Sequence, residues 1–127
     1  MAPLFTSKIQ LSNIIFLLLL SLVACKRESL PVKPEPSSFT AVMENNMTNF
    51  PAAGGTANII VSGGTNGWWV TMPTNTWCVI PKIYGSGDFK IPVTIRPNTT
   101  GQVREITVTI NPTFNLSPVV IKLVQDN

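Results

Sequence analysis

Histidine is absent from this sequence, and with it the side chain that most often acts as a general base near neutral pH or ligates a transition metal. Acids are scarce as well. After residue 38 the chain offers only Glu44, Asp88, Glu105 and Asp126, on separate segments and with no pair recognisable as the two carboxylates of a glycoside hydrolase. No G-x-S-x-G elbow and no phosphate-binding glycine loop occurs. These gaps argue against an enzyme, so we expect no catalytic residue, no metal and no cofactor. Long apolar runs are missing too: the longest, residues 14–24, holds eleven, well short of the ~20 that a transmembrane helix needs. Charge of one sign is weak, at +3 overall. Its basic residues Lys82, Lys90, Arg96, Arg104 and Lys122 stand singly, with no basic stripe, which excludes nucleic acid as a partner.

Cysteine is nearly absent, at two residues, and the position of one of them is informative. Lys8 and the amino terminus precede the apolar stretch, and small residues follow it, in the order of a signal peptide. Its end, Leu22-Val23-Ala24-Cys25, resembles the lipobox of bacterial lipoproteins. That resemblance implies a signal peptide over residues 1–24, a diacylglyceryl group on the Cys25 sulfur and an acylated new amino terminus, palmitate being a typical acyl chain. More than one acyl chain makes a stable membrane anchor. The competing reading is an ordinary secretory signal in which Cys25 is incidental. Removing 24 of 127 residues leaves 103, enough for one domain, and removing Lys8 leaves a charge of +2. Cys78 is then unpaired and is read as a small buried hydrophobe. Lys26-Arg27 reads as the solvated start of a tether.

Residues 25–38 form the lipidated cysteine and that tether. Pro31, Pro34 and Pro36 forbid a helix and favour extended polyproline geometry. From residue 39 to 127 the pattern is all-β: short runs at 39–43, 48–52, 56–62, 67–72 and 76–80 separated by Gly, Asn and Pro, then three longer ones. In the clearest, Phe89, Ile91, Val93 and Ile95 alternate with Lys90, Pro92, Thr94 and Arg96, so the first set should face the core. Pro92 suggests an edge strand or a bulge. Ile106, Val108 and Ile110 repeat the alternation against Glu105, Thr107 and Thr109, and Val119, Ile121 and Leu123 repeat it again. About seven to eight short strands with turns between them predict an antiparallel two-sheet β-sandwich of immunoglobulin type, with a closed barrel as the alternative.

Aromatic side chains are few, and they carry the only ligand-facing chemistry, because a Trp or Tyr face can stack on a sugar ring while its polar edge stays wet. Burying a Trp of ~200 Å² contributes about 5 kcal/mol, so most stay inside. By parity, Trp68, Val70 and Met72 share one face and Trp69 and Thr71 the other; the apolar face is the core, which turns Trp69 outward. Trp69 is the first candidate for ligand contact. Tyr84, in a glycine-rich loop over residues 82–88, and Trp77, on a strand apolar on both faces, are the others. Asn98 reads as a turn-closing side chain, Arg104 as a packed stem with hydrogen bonds to nearby carbonyls, and Gln125 as a group satisfying backbone at the end of the last strand.

The order Gly54-Gly55, Ile59-x-Val61, Trp68-Trp69-Val70, Trp77, Gly85-x-Gly87, Asn98 with Arg104 six residues on, Ile106-Thr107-Val108 and Leu123-Val124-Gln125 resembles the BACON domain over roughly residues 38–126. The resemblance implies an immunoglobulin-like sandwich in a bacterium of the Bacteroidota and a role among proteins that handle glycans. We expect no catalytic domain beside it. The expected protein is therefore a non-catalytic, lipid-anchored outer-membrane module that binds carbohydrate, either mucin or polysaccharide. Its alternative is a structural spacer or interaction module that docks an envelope protein partner. Residues 26–29 lack the acidic cluster that often accompanies surface export, so the periplasmic side and the cell surface both stay open.

Overall fold

Alternating strands dictate the architecture. The computed structural model describes residues 14–16, 18 and 29–127. Residues 14–16 and 18 are helical, and no helix among the described residues is long and apolar enough to cross a membrane. The cleavage point, Cys25 and Lys26-Arg27 lie outside the described residues. The chain divides into two units, Met1–Lys33 and Pro34–Asn127.

The second unit holds nine strands in two sheets. One is ordered β1 (Thr40–Met43), β3 (Gly55–Ser62), β7 (Phe89–Ile95), β5 (Cys78–Val79). The other is ordered β2 (Asn49–Phe50), β9 (Val119–Gln125), β8 (Arg104–Pro112), β4 (Gly67–Thr71), β6 (Tyr84–Ser86). Neighbours are antiparallel except β2 and β9, which run parallel. The sheets stay open and face one another, a sandwich of the immunoglobulin kind rather than a barrel.

The inward positions are those the alternation predicts. Ile59, Val61, Ile91, Val93 and Ile95 from the first sheet meet Trp68, Val70, Ile106, Val108, Ile110 and Leu123 from the second, all buried. Each fully buried aliphatic side chain contributes about 1.5–3 kcal/mol. Phe89 departs from the expected pattern. It stands at the open end of β7, 38% exposed, with its ring tilted against Trp68 at 5.9 Å and Lys82 Nζ 4.8 Å above it. Pro92 pairs in register with Asn58 of β3, while β5 reaches only Thr94 and Ile95 of β7. Beyond β5, the flank of β7 is an edge, where a residue without an N–H is tolerated.

The proline-rich segment is not free throughout. Thr65 Oγ1 donates to the Glu35 carbonyl at 2.6 Å, Asn66 Nδ2 donates to the Ser37 carbonyl at 2.8 Å, and the Ser37 and Thr65 hydroxyls meet at 2.8 Å. This clamp continues the β1–β3 register beyond its first pair, Thr40 with Ser62. It is made by side chains, where a ladder would use backbone.

Candidate functional site

Trp68 and Trp69 take opposite faces of β4 because successive side chains on a strand alternate. Trp68 is 2% exposed. Its Nε1 donates to the Gly87 carbonyl at 3.1 Å, and its ring lies over Gly85, where a Cβ would come within 2.4 Å of it. Gly85 is thus fixed by close approach. Trp69, turned outward, is 45% exposed. In register beside it stands Tyr84 of β6, 72% exposed, and on the other flank Asn111 of β8. Tyr84 belongs to a strand that pairs with β4, where the sequence pattern suggested a loop. The pairing sets its phenol on the same sheet face as Trp69.

Asn111 is held in place by its own donors. Its Nδ2 lies 3.1 Å from Thr71 Oγ1 and 3.3 Å from the Trp69 carbonyl. Past it, the β8–β9 turn rises beside Trp69 and makes an open groove of about 360 Å³, walled by Trp69, Asn111, Phe114, Asn115, Leu116 and Pro118. The base of the turn is fastened to β4, with the Gly67 N–H donating to Thr113 Oγ1 and the Thr113 N–H to the Gly67 carbonyl, each at 2.9 Å. Its tip is strained, because Phe114 and Asn115 both have positive φ, 61° and 56°. Asn adopts that region readily, but Phe does so at a cost of about 1–3 kcal/mol. Phe114 nonetheless stays 39% exposed.

Trp77 lies elsewhere. It precedes β5 in the other sheet and is half-buried, with the Arg104 guanidinium 4.5 Å from its ring centroid. Around it gather the side chains that the sequence reads as structural. Arg104 Nε donates to Gln125 Oε1 at 2.9 Å, and its Nη2 donates to the Arg96 and Pro97 carbonyls. Gln125 Nε2, fully buried, donates to the Arg96, Pro51 and Ala52 carbonyls. Asn98 closes its turn by accepting from Thr100 and donating to the Gln102 and Asp126 carbonyls. These residues lock one end of the sandwich.

Sequence reasoning missed Asn111, Phe114 and Asn66. The outward phase of Thr107 and Thr109 extends to Asn111 and could have found it. Nothing in the sequence signals a left-handed Phe. Asn66, fully buried under Ser37, reads from sequence as a plain turn residue. Among the described residues, no three His, Cys, Asp or Glu side chains gather as a metal site would require. Cys78 is buried in the core, and desolvation pushes its thiol pKa up.

Three comparisons bear on this arrangement. Among solved structures, a Bacteroides ovatus GH5 xyloglucanase in complex with a XXXG heptasaccharide is similar, with a TM-score of 0.57 and 22% identity over 68% of this chain and 19% of that chain. At that identity the likeness speaks for the fold alone. No curated protein matches the sequence. The family model named BACON, described as "Putative binding domain, N-terminal", matches residues 67–126, a span that takes in β4 through β9 and so both Trp69 and the turn bearing Phe114. Over those residues, just under half of the chain, the sequence matches the model of the family that its motifs resemble.

Proposed function

We propose that this chain is a non-catalytic glycan-binding protein, held at the bacterial outer membrane by acyl groups on Cys25, with the outer face of the five-stranded sheet as its binding surface. The observation that carries this reading is the exposed pair Trp69 and Tyr84, side by side on β4 and β6 with the groove beside them. An aromatic pair left outside a well-filled core exposes apolar area that folding alone would bury. Flat aromatic faces flanked by an amide and hydroxyls suit a sugar ring, which offers C–H on its faces and hydroxyls at its rim. The family description, a binding domain, agrees with this role.

The test is a glycan array that includes mucin O-glycans and plant polysaccharides, probed with the full chain in mild detergent and with its Trp69→Ala variant of confirmed folding. Loss of the central aromatic should weaken binding by at least about 30-fold, the size of a hot-spot residue. Absence of binding by the folded wild type across the array would refute the glycan reading and leave a docking surface for an envelope protein. Globomycin-sensitive processing and incorporation of labelled palmitate at Cys25 test the anchor separately.

A further inference from the structure

We infer that the ligand of this face is a neutral, extended polysaccharide, gripped along a line from Tyr84 through Trp69 to Phe114 and not by its chain end; this rests on the glycan reading above. Three observations support it. The first is linear placement. Tyr84 is the register partner of Trp69 across β6 and β4, and Phe114 shares the groove with Trp69 on the side away from Tyr84. One sugar ring needs one platform, whereas aromatic faces on both flanks of Trp69 serve neighbouring rings of a continuing chain. The groove between Trp69 and Phe114 is open, so it suits a chain that passes through.

The second observation is charge. No residue walling the groove is charged. On the flanks, Lys122 pairs with Glu105 at 2.6 Å, and Lys82, two residues before Tyr84, has its ammonium over the Phe89 ring. A uronate or sulfate brought against Trp69 and Phe114 would lose water without gaining a partner. The polar groups present, Asn111, Thr113 and Asn115, are neutral and match hydroxyls. The third observation is Phe114 itself. A left-handed turn position is relaxed by glycine, so a strained, exposed Phe there points to use of its ring.

The experiment is titration calorimetry of the full chain in detergent against a linear β-glucan, a galactomannan, polygalacturonate and chondroitin sulfate, at low and high salt. The variants are Trp69→Ala and Phe114→Gly, the latter keeping the turn. We expect a neutral polymer to bind at least about tenfold tighter than either acidic one, with little salt dependence. A hexasaccharide should bind at least about tenfold tighter than a disaccharide. Phe114→Gly should weaken binding by about tenfold while leaving the melting temperature at or above that of wild type. Trp69-dependent binding of an acidic polymer as tight as the neutral ones, falling with salt, would overturn the neutral class and leave the glycan reading standing. Equal affinity for disaccharide and hexasaccharide, or full affinity in Phe114→Gly, would overturn the extended line, again leaving that reading intact. No binding of any polymer by folded protein would overturn both.

Discussion

Replacing Gln125 by Leu tests whether the buried network at the end of the sandwich holds the domain together. Gln125 is fully buried, accepts from Arg104 Nε at 2.9 Å, and donates to the Arg96 carbonyl at 2.8 Å and, more weakly, to those of Pro51 and Ala52. Three orphaned carbonyls would be ruinous, but each keeps another donor: Gly54 N–H for Pro51, Asn98 N–H for Ala52 and Arg104 Nη2 for Arg96. What remains is the charge-assisted bond from Arg104, worth about 1.5–3 kcal/mol, plus the residual penalty of an apolar group facing carbonyls. The expected loss is about 2–4 kcal/mol. For a domain of this size, 1 kcal/mol moves the melting temperature by roughly 4–8 °C, so circular dichroism of the full chain should record a fall of at least about 8 °C. A double-mutant cycle with Arg104→Met, which keeps a stem against Trp77, should give a coupling of at least about 1 kcal/mol. A fall of under about 3 °C, or additive single effects, would refute the assignment of this cluster as the structural lock.

Other consequences are as direct. Gly85→Ala places a Cβ 2.4 Å from the buried Trp68 ring, so urea denaturation should show about 1–3 kcal/mol of destabilisation. The Lys90 ammonium, with help from the Asn58 amide, holds the Glu44 carboxyl below the usual carboxylate range. The folded pKa being depressed, this stabilisation is present above the unfolded value and is lost as pH falls through the folded one. Glu44→Gln should therefore flatten the loss of stability below about pH 4, read from melting temperatures across that window. Cys78, buried and with its thiol pKa raised, should resist thiol reagents until the domain unfolds, so mass mapping after native labelling should find that residue unmodified.

Most of the sandwich is legible in the sequence because its core is written in period two. Ile91, Val93, Ile95 and Ile106, Val108, Ile110 alternate so strictly that only one face can be buried, and the same parity turns Trp69 outward beside a buried Trp68. Legibility stops where long-range contacts decide. The strand Tyr84–Ser86 is three residues around a glycine and exists because β4 offers it a ladder and Trp68 needs a flat neighbour. Phe89 continues the inward phase of its strand, but the sheet ends there and its ring is left partly in solvent. At the site, Trp69 follows from local alternation and its neighbour Tyr84 does not, since their adjacency comes from pairing. Phe114 enters the groove through a turn that carries none of the usual Gly or Asn-Gly signals.

The Ser37–Asn66 clamp bears on how the domain would carry tension. A pull on the chain ahead of Pro34, such as an acyl anchor at Cys25 would transmit, reaches the bonds of Glu35 and Ser37 to Thr65 and Asn66 first. Next along the chain come the β1–β3 pairs, from Thr40 with Ser62 to Met43 with Ile59. Load would therefore peel the polar, partly exposed clamp before it shears the ladder that covers the core. Opening the clamp releases slack between the tether and β1 while Ile59, Val61 and the groove on the opposite sheet stay in place. The segment would act as a mechanical fuse, yielding before the core of the domain does.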